Sequence, residues 1–161
     1  MASTLTVDNI VGATAAGNVH IPGGVVQLVN AKKSPQAITT SSTSYVTTGM
    51  SVTITPKFST SKIFLTLQGG GHYLPQATSM ASVTIYKGST NIGPAQGFES
   101  IYSTSGNYQI VAHSLAEYDN TGGTAGTPIT YTIYMKTAAG TYQFQNSDRG
   151  TVNFTAMEIA Q

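Results

Sequence analysis

Cysteine and tryptophan are absent from these 161 residues, and only 8% of the residues are charged. Without cysteine there is no disulfide, no thiol nucleophile and no Cys-ligated zinc or iron–sulfur centre, and redox compartment cannot be read from the chain. Seven Lys and Arg stand against six Asp and Glu, a formal charge of +1. The clustered basic side chains that track a phosphate backbone are missing, so no nucleic-acid partner is expected. No apolar run approaches the ~20 residues of a membrane-crossing helix. The opening Met1-Ala2-Ser3-Thr4 has neither the basic start nor the apolar core of a signal peptide. The expectation is a soluble protein with no membrane insertion, entering no secretory route by itself.

What is abundant is the small hydroxyl. Threonine occurs 25 times and serine 16 times, so the surface is wetted by hydroxyls and amides rather than by charge. Valine and isoleucine number 23 against 6 leucines. That balance favours strands, because β-branched side chains lose rotamer freedom in a helix. With 40% hydrophobic residues and little charge repulsion, the chain is expected to fold rather than stay disordered. Its length suits one domain, which at this size buries roughly 70% of its unfolded surface.

Residues 1–24 read as an N-terminal arm and 25–161 as one β-sandwich knob. The arm holds no aromatic residue, a single charge at Asp8, and the small-residue run Gly12-Ala13-Thr14-Ala15-Ala16-Gly17. Its apolar residues are Leu5, Val7, Ile10, Val19 and Ile21, too few for a core. It is either an anchor docked on another protein or a frayed terminus. From Val25 onward, polar and apolar residues alternate. Met50, Val52 and Ile54 share one face, as do Ile63, Leu65 and Leu67, then Ala81, Val83 and Ile85. A turn at Lys87-Gly88-Ser89-Thr90 suggests a hairpin. Further strands fall near 107–116, at Ile129–Met135, at Tyr142–Phe144 and at 151–159. Eight or so strands with Gly, Ser and Asn turns predict an all-β fold, a single antiparallel sandwich or jelly roll with helix nearly absent.

Two strands carry aliphatics on both faces. They are Val25-Val26-Gln27-Leu28-Val29 and Val152 to Ile159, where Val152 and Phe154 share one face and Met157 and Ile159 the other. Such a strand is buried on both sides. Val26, Leu28, Met157 and Ile159 are therefore candidates for contact with another subunit; the alternatives are a phase-shifting bulge or a covering loop.

Several phrases resemble tailed-bacteriophage virion surface proteins, similar to fibre-like proteins of marine phages. They are Leu5-Thr6-Val7-Asp8-Asn9-Ile10, Val25-Val26-Gln27, Ser41-Ser42-Thr43-Ser44-Tyr45, Gly49 through Pro56, Ser61-Lys62-Ile63, Tyr86 through Gly93, and Met157-Glu158-Ile159. The resemblance spans most of the chain. It implies a homotrimeric fibre-head-like knob on an N-terminal stem, located on the capsid or tail of a virion assembled in the host cytoplasm. The arm would bind the major capsid protein or tail and fibre proteins. A stem of only some 24 residues, without repeats, departs from longer relatives. That favours capsid decoration or a short head fibre over a tail-fibre tip or a receptor- or carbohydrate-binding module for host attachment.

Motifs for chemistry are weak, and no enzyme activity, cofactor or metal is expected. His20, His72 and His113 stand apart, none beside another histidine or a carboxylate at ligand spacing. Gly69-Gly70-Gly71-His72 lacks a nucleophile elbow and the lysine of a phosphate loop, and reads as a flexible strand exit. The six carboxylates, Asp8, Glu99, Glu117, Asp119, Asp148 and Glu158, read as solvated turn residues rather than a glycosidase pair. Loops 69–79, 93–106 and 117–128 carry His72, Tyr73, Gln76, Gln96, Phe98, Tyr102, Asn107, Tyr118, Asp119 and Asn120. Aromatic faces, amides and carboxylates are what a host surface glycan requires, so these are candidate receptor residues. Such residues are equally ordinary in loops of a Thr/Ser-rich β protein.

Overall fold

The computed structural model describes residue 10 and residues 21–34, 36–75, 77–104, 110–146 and 150–161, the side chain of Glu99 excepted. Among these the chain forms eleven strands and no helix. They are β1 (Val25–Lys33), β2 (Ile38–Thr40), β3 (Val46–Ile54), β4 (Lys62–Tyr73), β5 (Ser79–Lys87), β6 (Thr90–Asn91), β7 (Glu99–Ser103), β8 (Ile110–Asp119), β9 (Ile129–Thr137), β10 (Tyr142–Gln145) and β11 (Val152–Ile159). The expected strand near 107–116 thus runs to Asp119. Of the arm residues, Ile10 and Ile21 are exposed, while Leu5, Val7 and Val19 lie outside the described residues.

Every pairing is antiparallel. The first sheet runs β1-β11-β4, with β8 on the far side of β4; the second runs β3-β9-β5, with β7 and β6 on the far side of β5. Setting aside the short β2, β6 and β10, each sheet has four strands, and the chain passes between sheets in the order β1, β3, β4, β5–β7, β8, β9, β11. That winding is a jelly roll, two Greek keys wrapped into a sandwich. The all-β sandwich expected from alternation is what forms.

Alternation also builds the core. Met50, Val52 and Ile54 of β3 face Ile63, Leu65 and Leu67 of β4, with Tyr131, Ile133 and Met135 of β9 and Phe154 and Ala156 of β11 in the same cluster. Gly88-Ser89 makes the two-residue turn between β5 and β6, pairing Lys87 with Thr90.

Two expectations need correction, and a third was open between alternatives. Gly69-Gly70-Gly71 is not a flexible exit but lies within β4, at an irregularity where the register to β8 shifts between Gly69 and His72. There β11, which pairs with Gly69, gives way to β10, which pairs with Tyr73. The carboxylates are not all in solvated turns: Glu158 is wholly buried and Asp119 nearly so. The two-faced strands also divide. β1 carries a bulge between Val25 and Gln27, so Val26 sits at a phase shift, whereas β11 alternates without interruption.

Candidate functional site

The outer face of the first sheet carries one apolar row. Leu28 pairs with Met157, Met157 with Phe64, and Phe64 with Tyr118, so four side chains cross from β1 to β8 in register. The rings of Phe64 and Tyr118 lie 4.6 Å apart. Leu28 is 56% and Tyr118 48% exposed, with Met157 and Phe64 half-buried between them. The next rows on this face are small or polar: Asn30, Thr155, Thr66 and Ala116, then Lys32, Asn153, Gln68 and Ser114. Val26 and Ile159 are half-buried at the end of the strip, where Ile159 lines a shallow cleft with Lys62, Tyr118, Asn120 and Gln161. Phe64 was missed by sequence reading because its neighbours Ile63 and Leu65 claim the inward face. Its own place in the alternation carried the signal.

Two carboxylates bind the sandwich together. Glu158 accepts hydrogen bonds from the backbone N–H groups of Lys57 (2.8 Å) and Phe58 (3.1 Å) and from the Gln27 amide (2.6 Å), clasping β1 and β11 to the β3–β4 connection. Asp119 receives the Lys87 ammonium at 2.7 Å, the Tyr131 hydroxyl at 2.6 Å and the Thr121 backbone N–H at 2.9 Å. Burial alone would raise the Asp119 pKa, but these donors outweigh it and hold the carboxyl below its usual range. The Tyr131 hydroxyl is pushed upward by burial and by its bond to Asp119.

Of the three histidines expected to stand apart, His72 and His113 meet, and His20 lies outside the described residues. His72 and His113 are buried with ring centroids 4.6 Å apart; His72 Nδ1 lies 3.2 Å from the Tyr142 hydroxyl, and His113 Nε2 lies 2.6 Å from the Phe144 carbonyl oxygen. No group of three metal-ligating side chains occurs among the described residues.

The candidate receptor residues do not converge. His72 and Asp119 are interior, Phe98 packs against the core, and Tyr73 is half-buried at the end of β4. Tyr102 is exposed on β7, while Tyr118 and Asn120 sit beside Lys62. Because Asp119 pairs with Ile63 and Ile110 with Tyr73, Tyr73 and the Tyr118–Asn120 end lie about 30 Å apart along β4, at ~3.3 Å per residue. Gln76 and Asn107 lie outside the described residues.

Aromatic side chains instead gather on the outer face of the second sheet. Tyr86 and Tyr134 stack with centroids 3.9 Å apart, Tyr45 meets Tyr86 edge-on at 6.4 Å, and the Lys136 ammonium stands 4.5 Å over the Tyr45 ring. All four are half-buried. The three tyrosines are far apart in sequence, and the pairing of β9 with both β3 and β5 unites them.

No family model and no curated protein matches the chain. Among solved structures it is similar to VP2 of infectious bursal disease virus in a subviral particle, with TM-score 0.44 and 12% identity over 83% of this chain and 32% of that one. It is likewise similar to a mutant VP2 of that virus in derived T=1 particles (0.45, 10%, 99% and 41%). A further T=1 particle structure of the virus gives 0.43 and 9%, over 100% and 41%. These neighbours are proteins of viral particles. The chain spans about a third to two-fifths of their length.

Proposed function

We propose that this chain is a structural protein of a bacteriophage virion, a homotrimeric surface appendage held by residues 1–24, serving as capsid decoration or short head fibre. The row Leu28–Met157–Phe64–Tyr118 carries the reading. Four apolar side chains in register, with Val26 and Ile159 at their end and small or polar rows beyond, are the kind of patch that marks an interaction surface. A second copy of the knob would cover it, and the resemblance of the sequence phrases to phage surface proteins favours three copies. A three-fold contact joins two different patches of neighbouring subunits, and the row offers two ends, Leu28 on β1 and Tyr118 on β8. Light scattering after size-exclusion chromatography at micromolar concentration is expected to give a trimer; a clean single-chain mass overturns the assembly. Gold-labelled antibody on purified virions should decorate the shell in many copies, and label confined to the tail would reject the capsid location.

A second reading, a tail-fibre tip or carbohydrate-binding module, is favoured by the cluster of Tyr45, Tyr86, Tyr134 and Lys136. Aromatic faces beside polar side chains suit a sugar, and this face is opposite the proposed subunit contact.

A further inference from the structure

The segment between β6 and β7 is pressed onto β5 and then lifts away from it. Ile92 donates to the Ile85 carbonyl at 3.0 Å and Phe98 to the Val83 carbonyl at 2.9 Å, so both ends are fixed. Close approach demands glycine: a Cβ at Gly93 would stand 2.4 Å from the Thr84 hydroxyl, and one at Gly97, where φ is +85°, 2.5 Å from the Val83 carbonyl oxygen. Between them Pro94-Ala95-Gln96 arches across the sheet. The arch is tied down by Lys136, whose ammonium donates to the Ala95 carbonyl at 3.0 Å, and by the Tyr45 hydroxyl at 3.5 Å. Beneath and beside it lies a cleft of about 280 Å³ lined by Thr43, Met80, Ser82, Gln96, Lys136 and Thr137.

The chemistry of that cleft is uneven. Its lining has one formal charge, Lys136, and among the described residues no carboxylate pairs with it, the one ion pair being Lys87 with Asp119. The ammonium spends itself on a neutral carbonyl and a π-face, both weaker partners than an anion. Around it stand small hydroxyls, an exposed amide, a thioether and the Tyr45 ring. The volume is at the small end of ligand sites and suits a single sugar ring.

We infer that this cleft binds an acidic sugar, a hexuronate unit of a surface polysaccharide, with the sugar carboxylate on Lys136, ring hydroxyls on Gln96 and Thr43, and the apolar sugar face toward Met80. The inference rests on the carbohydrate-binding reading and names its ligand class and its place.

The test titrates the full chain with trigalacturonate and with its methyl ester, which keeps the rings and loses the charge, using saturation-transfer NMR and calorimetry. Trigalacturonate is expected to bind, with the ester weaker by about tenfold or more, the worth of one charge-assisted hydrogen bond. Lys136→Gln should lose affinity for the acid to the same extent, with melting temperature and oligomeric state retained. Gln96→Ala, at the exposed tip of the arch, provides a second variant and should weaken both probes. Lys32→Gln, on the opposite sheet, should change nothing. Equal affinity for acid and ester, or unaltered binding by Lys136→Gln, overturns the acidic-sugar assignment and leaves a carbohydrate-binding role standing. Binding of neither probe overturns the cleft as a sugar site, and failure of the protein to adhere to host polysaccharide of any composition would end the broader reading.

Discussion

Asp119 sits where burial favours a neutral acid, yet Lys87, Thr121 and Tyr131 keep it ionised. Its pKa in the fold lies below the ~3.9 of an unfolded chain. Stability from this group is therefore complete above the unfolded value and drains away as pH falls through the folded one. Asp119→Asn is expected to cost about 2 kcal/mol at pH 7, for the loss of a buried charge-assisted pair whose lysine still reaches water. Urea unfolding should show that deficit shrinking as pH falls below the unfolded value, because the unfolded carboxyl takes up its proton before the folded one. A deficit independent of pH would mean that packing, not charge, holds the site. This role was not legible in the sequence. Asp119 closes a strand and precedes Asn120-Thr121-Gly122-Gly123, where a solvated turn residue would stand, and nothing local says that Lys87 lies beside it. Glu158 was legible in one respect, for it shares a face with Val152, Phe154 and Ala156. A carboxylate in an inward position must find donors, and here the backbone N–H groups of Lys57 and Phe58 supply them.

Strands were the easiest elements to read, because a period of two survives in any context where one face is buried. Met50, Val52 and Ile54, then Ile63, Leu65 and Leu67, then Ala81, Val83 and Ile85, and Ile129, Tyr131, Ile133 and Met135 all point inward as expected. The irregularity in β4 was misread, since three consecutive glycines look like slack. The reason for them is crowding. A Cβ on Gly69 would stand 2.4 Å from the Thr151 carbonyl oxygen, and one on Gly70 2.3 Å from Val152 Cγ2, with both backbones at positive φ. β4 can exchange β11 for β10 only if its backbone passes that close. Gly70→Ala should destabilise by about 2–4 kcal/mol, combining left-handed strain with a clash in a packed strand. Gly88→Ala, at φ +58° with nothing within 4 Å of its Cβ, should cost only about 1 kcal/mol. Thermal melts of the pair provide the comparison, and equal losses would show that the glycines serve conformation alone. The tyrosine cluster was hidden for the opposite reason. Tyr45, Tyr86 and Tyr134 each look like an ordinary outward residue until register brings them together.

At the scale of the whole molecule, the strand order makes two faces with different chemistry. One outer face carries the apolar row, and the other the arched segment with its lysine. Leu28, Met157 and Ile159 were legible as a second apolar face, because β11 keeps strict alternation with hydrophobic residues on both sides. Phe64 and Tyr118 join them only through the pairing of β4 with β11 and β8. That extension sharpens the test of assembly. Met157 is half-buried between Leu28 and Phe64 and faces outward, so in a lone subunit an aspartate there reaches water and should alter folding stability by roughly 0.5 kcal/mol. In a trimer closed over this row the same carboxylate is stranded in apolar surroundings in all three subunits, each costing several kcal/mol. Met157→Asp should therefore abolish the trimer while leaving a folded single chain, seen as a change of mass in light scattering with native-like circular dichroism. Ser89→Asp, on the open β5–β6 turn, should leave mass and melting temperature alone. If Met157→Asp stays trimeric with an unchanged melt, the subunits meet elsewhere, and the row must be covered by a different partner. If it unfolds outright, the row is needed by the single chain, and its role as a contact between copies loses its support.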